Sequence, residues 1–167
     1  NLAQGSARFN SRLIHISSDY VFSGQKGLPQ PYFEDDPVDA ISAYGRSKVE
    51  SEVAVKENSP NYIIIRTGWL YGFNKGNFIS SILKNAVNKR QKKIKVIEDQ
   101  IGSPTWTYRL ALQIKELLKT DVKGTFHTTS EGYCSRSDYA KHILKRMKIK
   151  KSIEPCRMKD YKLIAKR

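Results

Sequence analysis

Two short apolar segments, separated by a loop and a helix, constrain the fold of this chain more than any other feature. The segments RLIHISS (12–18) and NYIIIRTGWLYG (61–72) are rich in branched residues and end in small polar residues or glycine. Apolar runs of this length are typical of parallel strands buried on both faces. Between them the sequence predicts a long loop at 23–39, which holds two glycines and three prolines, and a helix at 42–58 capped by Ser42.

The rest of the chain continues this alternation. The further predicted elements are a helix at 77–90, a strand at 93–99, a turn at 100–105, a helix at 108–119, a strand at 124–130, a serine-capped helix at 135–147 and a last strand, SIEPC, at 152–156. Strand, loop, helix and strand in this order favour a parallel α/β sheet with right-handed crossovers. On the helix at 42–58 we expect Val49, Val53 and Ala54 to form the buried face.

Length and cysteine content narrow the class of protein. The 167 residues can form one domain with a core, or parts of two. No apolar run approaches the roughly 18 residues of a membrane span, and the opening NLAQGSARFNSR lacks the pattern of a signal peptide. Without such a span we expect no membrane partner. Cys134 and Cys156 lack metal-binding spacing; a disulfide between them is possible, but free thiols in a reducing cytosol are favoured, so we expect a cytoplasmic protein.

The excess of positive charge is large. Thirty lysines and arginines against 16 acidic residues give a net charge of +14, concentrated in KNAVNKRQKKIK (84–95) and KHILKRMKIKK (141–151). Such runs form solubilising helix surfaces, or they bind an anionic partner, which could be a phosphorylated small ligand, nucleic acid or a membrane surface. A nucleic-acid partner is disfavoured, because no aromatic-glycine, zinc-finger or helix-turn-helix pattern accompanies the runs.

The sequence AYGRSK places Tyr44 and Lys48 four residues apart at the start of the predicted helix. That spacing puts both side chains on one side of the helix. An ammonium beside a phenol stabilises the phenolate and makes the phenol a stronger acid, better matched to proton donation at neutral pH. Two unrelated residues on a wet helix face have the same spacing, so the pair alone does not establish catalysis.

Five motifs in order, HISSDYVF, YGRSKVESE, IIIRTGWLYG, GNF and DQIGSPT, resemble those of the dTDP-4-dehydrorhamnose reductases, a family of the extended short-chain dehydrogenase/reductase superfamily. The resemblance implies that the chain begins in the helix before the active-site strand and lacks the glycine-rich nucleotide-binding half. In agreement, Gly68, Gly72 and Gly76 have the wrong spacing for a phosphate loop. It also implies that the chain stops short of the family's C-terminus.

For the fold, the resemblance implies the C-terminal part of a Rossmann-like, doubly wound parallel sheet plus a small α+β substrate-binding lobe. Residues 1–72 and 102–130 would form the cofactor portion, and residues 73–101 and 131–167 the lobe. A homodimer is left open.

For the chemistry, the resemblance implies reduction of the 4-keto group of a dTDP-sugar by NADPH or NADH. Ser18, Tyr44 and Lys48 would be catalytic, and Tyr44 and Lys48 would also bind the cofactor. Substrate contacts would come from Ser18, Asp19 and Trp69. Alternation along a strand lets only one of Ser17 and Ser18 face the site, and the family pattern selects Ser18; Trp69 as core packing remains an alternative.

Two departures from related patterns bear on function. Tyr20 stands where sugar-nucleotide dehydratases carry a glutamate, so dehydration is disfavoured, and Tyr108 stands where a metal-binding carboxylate is expected in some members, so we predict no metal. The alternatives are an epimerase or a different 4-ketoreductase of the superfamily, and a regulatory homologue without catalysis.

Overall fold

The structure is a computed structural model, and it describes residues 1–28, 30–74 and 76–160. The chain divides into two compact units, which are described separately. The first comprises Asn1–Gly68 and Leu110–Thr129, and the second comprises Trp69–Arg109 and the segment that starts at Ser130. The predicted division into a cofactor portion (1–72 and 102–130) and a substrate-binding lobe (73–101 and 131–167) stays a prediction. Residues 161–167 of the predicted lobe fall outside the described residues.

The longer helices and strands follow one another in the predicted order, and four two-residue strands that the sequence did not predict lie between them. The elements are α1 (Leu2–Arg8), β1 (Leu13–Ser18), α2 (Ala43–Asn58), β2 (Tyr62–Thr67), β3 (Leu70–Tyr71), α3 (Phe78–Val87), β4 (Lys93–Ile97), β5 (Ile101–Gly102), β6 (Thr105–Trp106), α4 (Thr107–Leu117), β7 (Gly124–His127), β8 (Cys134–Ser135), α5 (Arg136–Arg146) and β9 (Ser152–Cys156). Short 3-10 turns follow β1, at Asp19–Val21, and β9, at Met158–Asp160.

The first unit is built on a three-stranded parallel sheet in the order β1-β2-β7. Three isoleucines of β2 have no exposed surface and divide between the two faces of the sheet. Ile64 packs with Ala3 and Val55 from α1 and α2, whereas Ile63 and Ile65 pack with residues of α4. Helices therefore cover both faces of a parallel sheet, which confirms the predicted α/β class.

The second unit has its own core between helices and a small sheet. Strands β4 and β9 pair in parallel, with Lys93 opposite Ser152, and α3 and α5 pack against them. The core side chains are Ile82, Ala86, Ile94, Val96, Ala140, Ile143 and Leu144. Asn77 caps α3 and Ser135 caps α5 through their side-chain oxygens. No helix in the described ranges is long and apolar enough to span a membrane.

The buried face of α2 differs from the prediction. Val53 is 46% exposed and Ala54 is exposed, whereas Gly45, Glu52 and Val55 are buried. Glu52 and Arg66 of β2 each expose 3% of their side chain and form a two-pronged ion pair, with Nε to Oε1 at 3.0 Å and Nη2 to Oε2 at 2.7 Å. The spacing of apolar residues cannot predict that a helix buries the face that carries a carboxylate.

The long loop after β1 is anchored to the sheet by Glu34. The Glu34 carboxylate accepts the backbone N–H of His127 on β7 (2.8 Å), and its carbonyl accepts Arg66 Nη1 (3.0 Å). The hydrogen bond from His127 is the main cause that lowers the pKa of Glu34. These two contacts hold the loop at Glu34 against β2 and β7.

We predict that Glu52→Gln lowers the free energy of unfolding by about 3–5 kcal/mol, because it leaves the Arg66 charge buried without its counter-ion. Burial raises the pKa of Glu52, but the hydrogen bonds from Arg66 and Ser17 outweigh it, so the net pKa is lowered. A lowered carboxyl pKa gives stability that is present above the unfolded value and is lost as the pH falls through the folded one.

Urea unfolding of the intact protein between pH 7 and pH 3 measures both effects. The exposed Glu50→Gln on the same helix serves as the control and should change stability little. Equal stability of the two variants, or an unchanged pH dependence in Glu52→Gln, would contradict the prediction.

Candidate active site

Ser18 lies at the carboxyl end of β1, opposite Thr67 of β2. Its Oγ donates to Asp19 Oδ1 (2.9 Å) and accepts the backbone N–H of Tyr20 (3.2 Å), which starts the 3-10 turn. The neighbouring hydroxyl of Ser17 is used differently, because it donates to the buried carboxylate of Glu52 at 2.5 Å. Ser17 thus belongs to the ion pair, and Ser18 is the hydroxyl at the strand terminus.

Helix α2 brings Tyr44 and Lys48 to the same end of β1. Lys48 Nζ donates to the carbonyl of Ile16 at 3.0 Å and lies 5.9 Å from the centroid of the Tyr44 ring. The ring of Tyr20 meets that of Tyr44 edge-on at 5.8 Å, and Tyr44 remains 54% exposed. Lys48 is therefore held by β1, while the ring of Tyr44 is open to a ligand.

Two glycines allow the backbones around this site to approach closely. A Cβ on Gly45 would overlap the carbonyl oxygen of Tyr20, so only glycine lets the first turn of α2 meet the turn after β1. A Cβ on Gly68, directly after β2, would overlap the carboxylate of Asp19. Both contacts lie within the first unit and set the position of Asp19 and of the N-terminal turn of α2.

Trp69 opens the second unit in a constrained conformation. Its φ of 49° lies in the left-handed region, which is uncommon for a bulky residue and points to strain held by the surroundings. The guanidinium of Arg136 lies 3.5 Å from the ring centroid of Trp69, and Tyr139 stacks on it at 6.5 Å. A Cβ on Gly102 would overlap the indole. Contacts with Arg136, Tyr139 and Gly102 therefore hold the Trp69 side chain in place.

An aromatic cluster surrounds this tryptophan. Arg136 is oriented by Gln100, whose Oε1 accepts its Nε at 3.2 Å, and it also lies 4.9 Å from the ring centroid of Phe78. Burial, with a smaller contribution from Tyr71, raises the pKa of Tyr139 to about 12, so its phenol is neutral across the physiological range. Trp69 itself is half-buried within this cluster.

Of the predicted site residues, the structure brings Ser18, Asp19, Tyr44 and Lys48 together in the first unit. Trp69 is the first residue of the second unit, and its place is described only within that unit. Sequence reasoning missed Glu52, Arg66 and Arg136. Each of them acts through a contact distant in sequence, and no local motif signals such a contact.

Comparison with known proteins gives the following likenesses. A family model described as the RmlD substrate binding domain matches residues 1–167. The spore coat polysaccharide biosynthesis protein SpsK of Bacillus subtilis (strain 168) is 38% identical over 156 residues, which are 93% of this chain and 53% of that protein. The chain spans about half the length of the curated relatives it matches.

Two solved structures are similar over 99% of the chain. A dTDP-4-dehydrorhamnose reductase from Clostridium acetobutylicum has a TM-score of 0.93 and 37% identity, and the match covers 57% of it. A dTDP-4-dehydrorhamnose reductase from Bacillus anthracis, in complex with NADP, has a TM-score of 0.92 and 36% identity, and the match covers 58% of it.

We predict that Gly45→Ala destabilises the protein by about 1–3 kcal/mol, the usual cost of forcing extra volume into a packed contact. Gly5→Ala on α1 is the matched control, because a Cβ there meets nothing within 4 Å and alanine favours a helix. Urea unfolding of both variants tests this. Equal or greater stability of Gly45→Ala would show that the helix and the turn separate without cost.

We predict that Arg136→Leu shifts the fluorescence and near-ultraviolet circular dichroism of Trp69 and lowers stability by about 1–2 kcal/mol, the strength of a desolvated cation–π contact. Arg109→Leu, at an exposed position of the same unit, is the control. Repeating both changes in a Trp69→Phe background isolates the signal of this tryptophan. A spectral change of the same size in that background would refute the assignment.

Proposed function

The chain belongs to the family of RmlD substrate-binding domains, and we propose on that basis that it carries the proton-donating and sugar-binding part of a sugar-nucleotide reductase. The reaction is the NAD(P)H-dependent reduction of the 4-keto group of dTDP-4-dehydro-L-rhamnose to dTDP-L-rhamnose. The observation that carries this proposal is the arrangement of Tyr44 and Lys48 beside the end of β1, where Lys48 Nζ is bound to the carbonyl of Ile16. The names of the two similar structures support the substrate class.

Reduction of a ketone needs a proton on the oxygen as well as a hydride on the carbon. Tyr44 is the proton donor, because its ring is exposed to a ligand and the ammonium of Lys48 stabilises the phenolate that proton transfer leaves behind. Ser18 donates a hydrogen bond to the developing alkoxide when its hydroxyl turns from Asp19 to the substrate. The proton thus moves from the Tyr44 hydroxyl to the substrate oxygen.

A nicotinamide cofactor supplies the hydride, because no side chain can. The residues present fit such a cofactor: Lys48 uses one of its three ammonium donors on Ile16, which leaves donors for ribose hydroxyls. NADPH is the first candidate, since a similar structure is a complex with NADP, and NADH is the second. Ribose binding by Lys48 also keeps the ammonium near Tyr44.

Substrate contacts are assigned to Asp19 and Trp69 besides Ser18. The Asp19 carboxylate can accept hydrogen bonds from sugar hydroxyls, and an indole face suits the C–H surface of a sugar ring. Arg136 and Gly102 hold the Trp69 ring in one orientation before any sugar binds, and this reduces the entropic cost of binding. We place the enzyme in the cytoplasm, and a homodimer stays a prediction.

We predict that Tyr44→Phe lowers kcat at least about 100-fold in the intact protein, the usual contribution of a positioned proton donor. The assay follows NADPH oxidation with dTDP-4-dehydro-L-rhamnose as the substrate. Tyr108→Phe is the matched control, because Tyr108 is 57% exposed against 54% for Tyr44 and should keep full activity.

The assay tests the proton-donor role and the substrate separately. Unchanged turnover in Tyr44→Phe would refute the proton-donor role. Turnover of another keto-sugar nucleotide, with none of the dehydrorhamnose compound, would refute the substrate and leave the chemistry standing.

A further inference from the structure

Positive charge is divided very unequally between the two compact units. The described residues of the first unit hold ten lysines and arginines and ten acidic residues, so they are formally neutral. The described residues of the second unit hold 16 lysines and arginines and six acidic residues, which leaves a net charge of +10. A general enrichment of the protein in lysine would have charged both units.

Within the second unit the cations gather at one end. The loops that join α3 to β4 and α5 to β9 lie side by side, because Lys151 Nζ donates to the carbonyl of Asn88 at 3.0 Å and Lys93 pairs with Ser152. This basic end comprises Lys89, Arg90, Lys92, Lys93, Lys145, Arg146, Lys148, Lys150 and Lys151. Eight of the nine are exposed and Lys151 is half-buried.

Acidic residues are kept away from the basic end. The stretches 84–97 and 139–153 contain no aspartate or glutamate. In the part of the chain that the structure describes, none of the nine cations forms an ion pair. Glu98 and Asp99 follow the other end of β4, and Asp138 lies in the first turn of α5. The unit is therefore electrically polarised along its strands.

Two exposed apolar side chains sit among these cations. Val87 ends α3 and is 73% exposed, and Met147 caps α5 and is 56% exposed. The helix dipole accounts for cations such as Lys145 and Arg146 in the last turn of α5, but it gives no reason to expose apolar groups beside them. Cations that surround exposed apolar side chains match the polar and apolar layers of a lipid surface.

We propose that the basic end binds reversibly to the surface of an anionic lipid bilayer. Its lysines and arginines contact acidic headgroups, and Val87 and Met147 enter the boundary between headgroups and acyl chains. Nucleic acid fits less well, because the stretches 84–97 and 139–153 offer Tyr139 alone among Phe, Tyr and Trp, and that ring is stacked on Trp69 and Phe78. The membrane contact does not depend on the proposed reductase activity.

Sedimentation of the intact protein with lipid vesicles tests the proposal. Vesicles of phosphatidylcholine alone are compared with mixed phosphatidylcholine and phosphatidylglycerol at about 0.1 M salt, where the screening length is about 10 Å. The basic-end variant changes four exposed lysines to glutamine: Lys89, Lys92, Lys145 and Lys150. The matched control changes four exposed lysines of the first unit to glutamine: Lys56, Lys115, Lys119 and Lys123.

We expect binding only to the anionic vesicles, with a loss of about fivefold for each basic-end lysine removed and thus more than about 100-fold in that variant. The control should bind within about twofold of the unchanged protein. The double variant Val87→Asn with Met147→Gln keeps the charge of the protein, and it should bind anionic vesicles more weakly than the unchanged protein does. Such a loss distinguishes a lipid surface, which takes up apolar side chains, from a plain polyanion, which does not.

Three results would overturn the proposal. These are equal binding to both kinds of vesicle, equal losses in the basic-end and control variants, and binding to duplex DNA at the same salt without binding to anionic vesicles. All variants leave the residues of the candidate active site unchanged. Their unfolding curves show whether they fold like the unchanged protein.

Discussion

The buried ion pair between Glu52 and Arg66 is the interaction on which the first unit depends. It joins α2 to β2 through two short contacts, and the same charges also bind Ser17 of β1 and the carbonyl of Glu34. A buried ion pair adds little net stability over apolar packing, but it tolerates only one geometry, since a displaced partner would leave an unpaired charge. The pair therefore sets how the helix lies on the sheet.

That constraint positions the candidate catalytic groups. Lys48 lies one turn before Glu52 on α2, and Tyr44 one turn before Lys48, so fixing Glu52 fixes the direction in which both project. Gly45 then allows the helix to touch the turn that carries Asp19, and Lys48 binds the carbonyl of Ile16. The start of α2 lies at the carboxyl end of β1 because the ion pair holds the helix on β2 and the Ser17 hydroxyl ties the same carboxylate to β1.

The second unit holds a different kind of preorganisation. Trp69 keeps a left-handed backbone while Arg136, Tyr139 and Gly102 contact its ring. These contacts lie on one side of the unit's core, at the start of α5, whereas the basic end lies where α5 finishes. The start of α5 thus contributes Arg136 and Tyr139 to the aromatic cluster, and its end contributes Lys145 and Arg146 to the basic end.

The sequence by itself determined the order of the longer helices and strands, the serine caps of α2 and α5, the Tyr44–Lys48 spacing and the charge of the runs, because these follow from local periodicity and composition. Tertiary structure alone decided that α2 buries Glu52 and exposes Val53, that Ser17 serves the ion pair, and that Arg136 covers Trp69. The reason is physical: a charged side chain is buried only when a partner distant in sequence neutralises it, and no local pattern encodes that partner.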